Sequence, residues 1–162
     1  MPDANRPELP WEGGCRCGRV RLRISRPPLL TMACHCLGCQ RMSASAFSLS
    51  MAVPSGGFEV LQGEPAIGGL HGDQSRHHHC EWCKAWLFTR IEPDPGFVNV
   101  RPSVLDDHHW FEPFIETQTA EGLPWARTPA RHSFERFPPM EEYARLVEEF
   151  ARVAKENTRP AS

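Results

Sequence analysis

Cysteine is the residue type whose placement in this chain points to chemistry. All seven cysteines fall between Cys15 and Cys83, and none follows. The segment Cys34-His35-Cys36-Leu37-Gly38-Cys39 packs three thiols into six residues, while Cys15-Arg16-Cys17 and Cys80-Glu81-Trp82-Cys83 each supply a close pair. An odd count at such spacing argues against a disulfide framework: a bridge inside a C-x-C pair would be strained, and Met1 to Gly14 lacks the basic-then-apolar pattern of an export leader. Metal thiolates are the better reading. The two close pairs together provide the four ligands of a closed tetrahedral zinc site. Joining segments roughly sixty residues apart, such a zinc would remove far more chain entropy than a local clip.

With those four assigned, Cys34, Cys36 and Cys39 remain as a set of three. Three protein ligands and one exchangeable position is the arrangement zinc adopts when it takes part in reactions. Three thiolates leave the centre formally anionic, a poor activator of water but a good acceptor of one more soft ligand, for which a substrate thiol is the natural candidate. A free thiol with a pKa near ~8.5 is little ionised at neutral pH, and coordination would hold it in its reactive form. The alternative is that a histidine or carboxylate closes the tetrahedron. His35 lies between two ligands and on an extended backbone would point to the opposite face. His77, His78 and His79 read as a solvated loop beside the second knuckle. His108 and His109, next to Asp106 and Asp107, could donate protons, but nothing in their spacing brings them to the three thiols.

The elements that must position these groups are mostly short strands. Sixteen prolines and twelve glycines in 162 residues suit a turn-rich β protein rather than one of long helices. Residues 1–10 read as a loose lead-in, anchored by Trp11. Residues 19–24 alternate basic and apolar, the period of a half-buried strand whose arginines form a solvated face. Ala46 to Val53 alternates again, with Phe47, Leu49 and Met51 on one face and Ser48 and Ser50 on the other. Residues 58–61, 85–91 and 97–100 read as further strands, the second buried on both faces, and 104–107 as a strand end entering a polar loop. Gly68, Gly69 and Gly72 mark a flexible stretch, and 108–137 reads as irregular β structure covering a core. From Met140 to Lys155, Tyr143, Leu146, Val147, Phe150 and Val153 recur at helical spacing, an amphipathic stripe for packing on its own domain or for a homodimer contact. The expected organisation is a lead-in over 1–10, a zinc-binding β domain over 11–137, and a C-terminal helix and tail over 138–162.

Taken in order, C-x-C-G, C-H-C-x-x-C, C-x-x-C and L-D-D closely resemble the glutathione-dependent formaldehyde-activating enzyme family, from about Gly13 to Asp107. All seven cysteines fall on that pattern, as do Gly63, Ser75 and Leu105-Asp106-Asp107. The resemblance implies a mainly β, Mss4-like (β-tent) zinc fold of short antiparallel strands, here followed by an amphipathic helix. It implies a structural zinc on Cys15, Cys17, Cys80 and Cys83 and a catalytic zinc on Cys34, Cys36 and Cys39. The implied activity is that of a carbon–sulfur lyase, condensing glutathione as co-substrate with formaldehyde to S-hydroxymethylglutathione, or handling another small electrophile. Three positions depart from the family's habit: Lys84 and Ala44 stand where glycine is common, and His79 where an aromatic residue is usual.

A formal net charge of −2 gives no basic field for nucleic acid or an anionic membrane, and no window approaches the ~18 apolar residues of a spanning helix. A soluble, cytoplasmic protein is expected. The rival function is a non-catalytic Mss4-like zinc module that binds a protein partner or a thiol. A methionine sulfoxide reductase on the related fold would need a nucleophilic cysteine late in the chain, and none follows Cys83.

Overall fold

The computed structural model describes residues 6–69 and 72–157, so the first half of the expected lead-in and the tail beyond Asn157 lie outside the described residues. Eleven strands and two helices are described: β1 Trp11–Gly14, β2 Arg21–Ile24, β3 Leu30–Cys34, α1 Leu37–Ser43, β4 Ser48–Pro54, β5 Phe58–Gln62, β6 Ala66–Gly68, β7 Ser75–His79, β8 Trp86–Ile91, β9 Phe97–Val100, β10 Ile115–Thr117, β11 His132–Ser133 and α2 Met140–Asn157. The chain is mainly β, and it divides into two compact units. No helix among the described residues is long and apolar enough to cross a membrane.

One unit comprises Pro7–Pro28 and Ser50–His108. In it β1, β2 and β5 form an antiparallel sheet, and β4, β9, β8, β7 and β6 hydrogen-bond in that order. Leu22, Ile24, Met51, Val53, Leu87, Val98 and Val100 are fully or almost fully buried and make its core. The alternation in β2 is realised as expected, although the strand starts at Arg21 rather than Arg19. Its solvated face is also an ion-paired one: Arg21 Nη1 donates to Asp106 Oδ1 at 2.9 Å and Arg23 Nη2 to Glu12 Oε1 at 2.7 Å. The Leu-Asp-Asp segment is therefore a clamp on the first sheet. It follows a 3₁₀ turn over Pro102–Val104 rather than a strand end, and bridges to Gly13 through Leu105. A Cβ on Gly13 would stand only 2.1 Å from the Val104 carbonyl oxygen, so this approach requires glycine.

Two expectations for this unit need correction. His77, His78 and His79 are not a solvated loop but β7, paired on one side with β6 and on the other with β8. The three rings are half-buried against neighbours: His78 stacks on Phe88 at 4.5 Å, and His77 meets the edge of Trp86 at 5.2 Å. Gly68 ends β6 and Gly69 follows it at φ +77°; residues 70 and 71 of the glycine-marked stretch lie outside the described residues. In β4 the alternation of apolar and serine positions does not separate a buried face from an exposed one. Ser48 and Ser50 are buried alongside Met51, Ala52 and Val53, while Leu49 is only half-buried.

The other unit comprises Arg6, Leu29–Leu49 and His109–Asn157 among the described residues. Its sheet runs β11–β10–β3, and both pairings are parallel, a departure from the all-antiparallel expectation. Ile115 lies beside Met32 and Thr117 beside Cys34. β10 thus forms a regular strand inside the stretch expected to be irregular cover. The sequence reading also missed β3 and α1, which flank and contain the three-cysteine run. The C-terminal helix appears where its periodicity placed it. Leu146, Phe150 and Val153 are buried, and Phe150 packs edge-on against Phe114 at 5.3 Å. That stripe is occupied within its own unit.

Candidate metal centres

The first unit gathers Cys15, Cys17, Cys80 and Cys83, with ligand atoms all within 4.8 Å of one another. Two tight turns make this possible. In the first, Gly18 at φ +77° lets its N–H reach the Cys15 carbonyl at 3.0 Å; in the second, Lys84 at φ +60° brings its N–H to the Cys80 carbonyl at 2.9 Å. Both are the left-handed conformation that glycine adopts most easily. Cys15 Sγ lies 3.5 Å from Cys17 Sγ, and Cys17 Sγ 3.7 Å from Cys80 Sγ. Four sulfurs each about 2.3 Å from a tetrahedral zinc would stand about 3.8 Å apart, so the thiols fit that ion. The Val20 N–H donates to Cys15 Sγ at 3.2 Å, and that bond favours the thiolate against burial. Desolvation opposes ionisation of Cys83, but N–H groups of Ala85 and Cys17 hold it at about 6. The Arg19 N–H favours ionised Cys17, yet desolvation and the surrounding thiols push it up to about 11. This is the charge crowding that a cation would relieve. The Arg19 guanidinium lies over the Trp82 ring at 4.1 Å, and His79 lies parallel to the Trp86 ring.

The second unit gathers Cys34, Cys36 and Cys39, again within 4.8 Å, and no fourth cysteine, histidine, aspartate or glutamate among the described residues joins the group. Each thiol comes from a different local structure. Cys34 ends β3, Cys36 is the N-cap of α1, and Cys39 sits in the helix and donates its N–H to Cys36 Sγ at 3.3 Å. The β-to-α change of direction folds three near neighbours in sequence onto one point. Ala44 closes the helix at φ +49°, with its N–H on the Gln40 carbonyl. Cys39 hydrogen-bonds Cys34, and together with the Cys36 N–H and the buried Thr117 hydroxyl this outweighs burial and holds Cys34 down at about 5. The same bond, then burial, pushes Cys39 far up, even though Ser48 favours its ionised form; burial pushes Cys36 up as well. The inward serine of β4 is thus explained by the thiol it faces.

His35 is 1% exposed and is not a member of the group. Its Nε2 lies 3.0 Å from Glu116 Oε2, an oxygen that also accepts from Thr128 Oγ1 at 2.7 Å, and its ring packs against Phe47 at 5.2 Å. His35 therefore points away between its two thiol neighbours, as expected, and anchors the segment to β10. Gln40 Nε2 fastens the helix by donating to the His35 carbonyl at 2.7 Å and the Glu121 carbonyl at 3.0 Å. Nothing in the sequence singled out Thr117, Glu116 or Gln40. Only the parallel pairing of β10 with β3, joining residues more than eighty apart, brings the first two to the cysteines. The histidines at 77–79 are absent from both cysteine groups, and so are those at 108 and 109.

A family model described as "Glutathione-dependent formaldehyde-activating enzyme" matches residues 10–121. No curated protein matches the chain. Among solved structures, a crystal structure of a Rhodobacter sphaeroides protein is similar with a TM-score of 0.48 and 17% identity, over 59% of this chain and 87% of that one.

Proposed function

Because this chain belongs to the glutathione-dependent formaldehyde-activating enzyme family, we propose that it is a zinc-dependent carbon–sulfur lyase joining the thiol of glutathione to formaldehyde or another small electrophile, in the cytoplasm where glutathione is abundant. The observation that carries this reading is the unequal size of the two cysteine groups: one has four members and the other three. Cys15, Cys17, Cys80 and Cys83 would hold a structural zinc with no position to spare. Cys34, Cys36 and Cys39 would hold a second zinc, and a cation there keeps one further thiol ionised at neutral pH.

The chain's own residues supply order around that point. The Cys39 N–H and the Thr117 and Ser48 hydroxyls hydrogen-bond the sulfurs, so the anionic cluster is solvated by fixed donors rather than by water. The Glu116–His35 contact and the Gln40 bonds hold the β3–α1 corner. Addition of a thiolate to an aldehyde leaves an alkoxide that needs a proton, so a donor must lie close by.

The experiment is zinc content per chain and glutathione titration in the wild type and in Cys36→Ser. Two zincs should fall to one, with the fold intact and glutathione binding lost. One zinc throughout, or a second zinc indifferent to glutathione, would overturn the lyase and leave the non-catalytic zinc module in its place.

A further inference from the structure

An open cavity of about 640 Å³ borders α1, and Gln40, Arg41, Ala44, Phe47 and Trp125 line it while none of the seven cysteines does. Its place relative to the three thiols follows from the helix period. Cys36, Gln40 and Ala44 are spaced four apart, and the Gln40 N–H meets the Cys36 carbonyl at 3.0 Å, so the three form one stripe along α1. The stripe begins at a thiol, and its other two members line the cavity. Two contacts tie the same lining to the cysteine segment: Gln40 Nε2 donates to the His35 carbonyl at 2.7 Å, and the Phe47 ring packs 5.2 Å from that of His35. Trp125, 76% exposed, comes from a loop that follows the end of the family match at residue 121. The loop is fastened to α1, since Glu121 accepts from the Leu37 N–H at 2.7 Å and from Gln40 Nε2 at 3.0 Å. A turn closed by the Ala126 N–H on the Leu123 carbonyl at 3.0 Å then carries the indole. Arg41 is the one charged residue in the lining; it is exposed and has no ion pair among the described residues.

One cation, an exposed indole and no acid suit an anionic ligand with a flat, peptide-like body. The reach agrees. Arg41 is five residues beyond Cys36, about 7.5 Å along α1 at 1.5 Å per residue. Each arm of glutathione carries its carboxylate one to two residue lengths from the thiol-bearing residue, about 3.5–7 Å. Resting on the lyase reading, we propose that this cavity is the subsite for the peptide body of the thiol substrate, where Arg41 pairs with one of its carboxylates and Trp125 covers an adjoining amide. A position for a soft ligand does not by itself tell one thiol from another. Selection therefore falls to groups that read the rest of the molecule, and the cavity beside the Cys36 stripe supplies them: thiols are chosen by the anion they carry.

Calorimetric titration of the zinc-loaded protein with glutathione and with 2-mercaptoethanol, a thiol without a carboxylate, tests this. Arg41→Gln should keep two zincs, weaken glutathione about threefold to tenfold, and leave 2-mercaptoethanol within about twofold. It should also flatten the fall of glutathione affinity with added salt. Trp125→Ala should weaken glutathione while keeping the salt dependence. Glutathione with its glycyl carboxylate blocked as the ethyl ester separates the two arms: insensitivity to Arg41→Gln assigns the pairing to the glycyl carboxylate, retained sensitivity to the γ-glutamyl one, and either supports the subsite. Unchanged glutathione affinity and salt dependence in Arg41→Gln would overturn the subsite and leave the lyase standing. Equal losses for both thiols would make Arg41 a support of the cysteine group and overturn the pairing. A wild type that binds no glutathione would overturn the lyase, and the subsite with it.

Discussion

Lys84 and Ala44 carry side chains at φ +60° and +49°, in turns that complete the second knuckle and the three-cysteine helix. In the sequence they were legible only as departures from a glycine habit; the backbone supplies the cause, since a left-handed residue with a Cβ is strained by about 1–2 kcal/mol. Part of that is returned when glycine loosens the unfolded chain. Lys84→Gly and Ala44→Gly should each raise stability by about 0.5–1 kcal/mol, read from denaturant midpoints of the zinc-loaded protein. A second residue-scale consequence concerns Glu116. Burial raises its pKa, but hydrogen bonds from Thr128, Ser133 and His35 outweigh that and hold it below 4.5. A carboxylate with a depressed folded pKa stabilises fully above its unfolded value and loses that contribution as the pH falls through the folded one. Stability of the wild type should therefore decline below about pH 4.5, and Glu116→Gln should be less stable at pH 7 but flatter between pH 5 and 3. A parallel decline in both proteins would remove Glu116 from the account.

At the scale of elements, what was legible was what local periodicity could carry. Alternation found β2, and the 3–4 spacing found α2, because each buries one continuous face of its own residues. Periodicity failed where the partner decides. Ser48 and Ser50 turn inward because Ser48 faces a thiol. The histidines of β7 form a strand because β6 and β8 satisfy its backbone on both sides. Leu30–Cys34 lacks alternation and Ile115–Thr117 is only three residues long, so neither announces itself; they exist as a pair. The docking of α2 depends on few side chains, with Phe150 only 8% exposed against Phe114. Phe150→Ala should cost about 3–5 kcal/mol, the range for removing a buried aromatic ring, and urea unfolding would measure it.

In the molecule as a whole, each compact unit contains one of the two cysteine groups, and the sequence already divided the seven thiols in the same way by counting ligands. The consequence is a two-step response to metal removal. Structural zinc binds peptides of this kind with apparent energies of about 10–16 kcal/mol, comparable to or above a domain's entire stability of about 5–15 kcal/mol. A chelator titration should first withdraw one zinc, with circular dichroism unchanged, and release the second only with unfolding; simultaneous release would contradict the division into an open and a closed site. Cys36 adds a different kind of consequence. Its sulfur is both a member of the open group and the acceptor that caps α1. An alkylating agent that reaches it would remove a ligand and uncap the helix in a single event. On the proposed lyase reading, the protein would then wear out through its own turnover, each molecule failing abruptly rather than by degrees, and the ratio of productive additions to strikes on Cys36 would set how many cycles it completes.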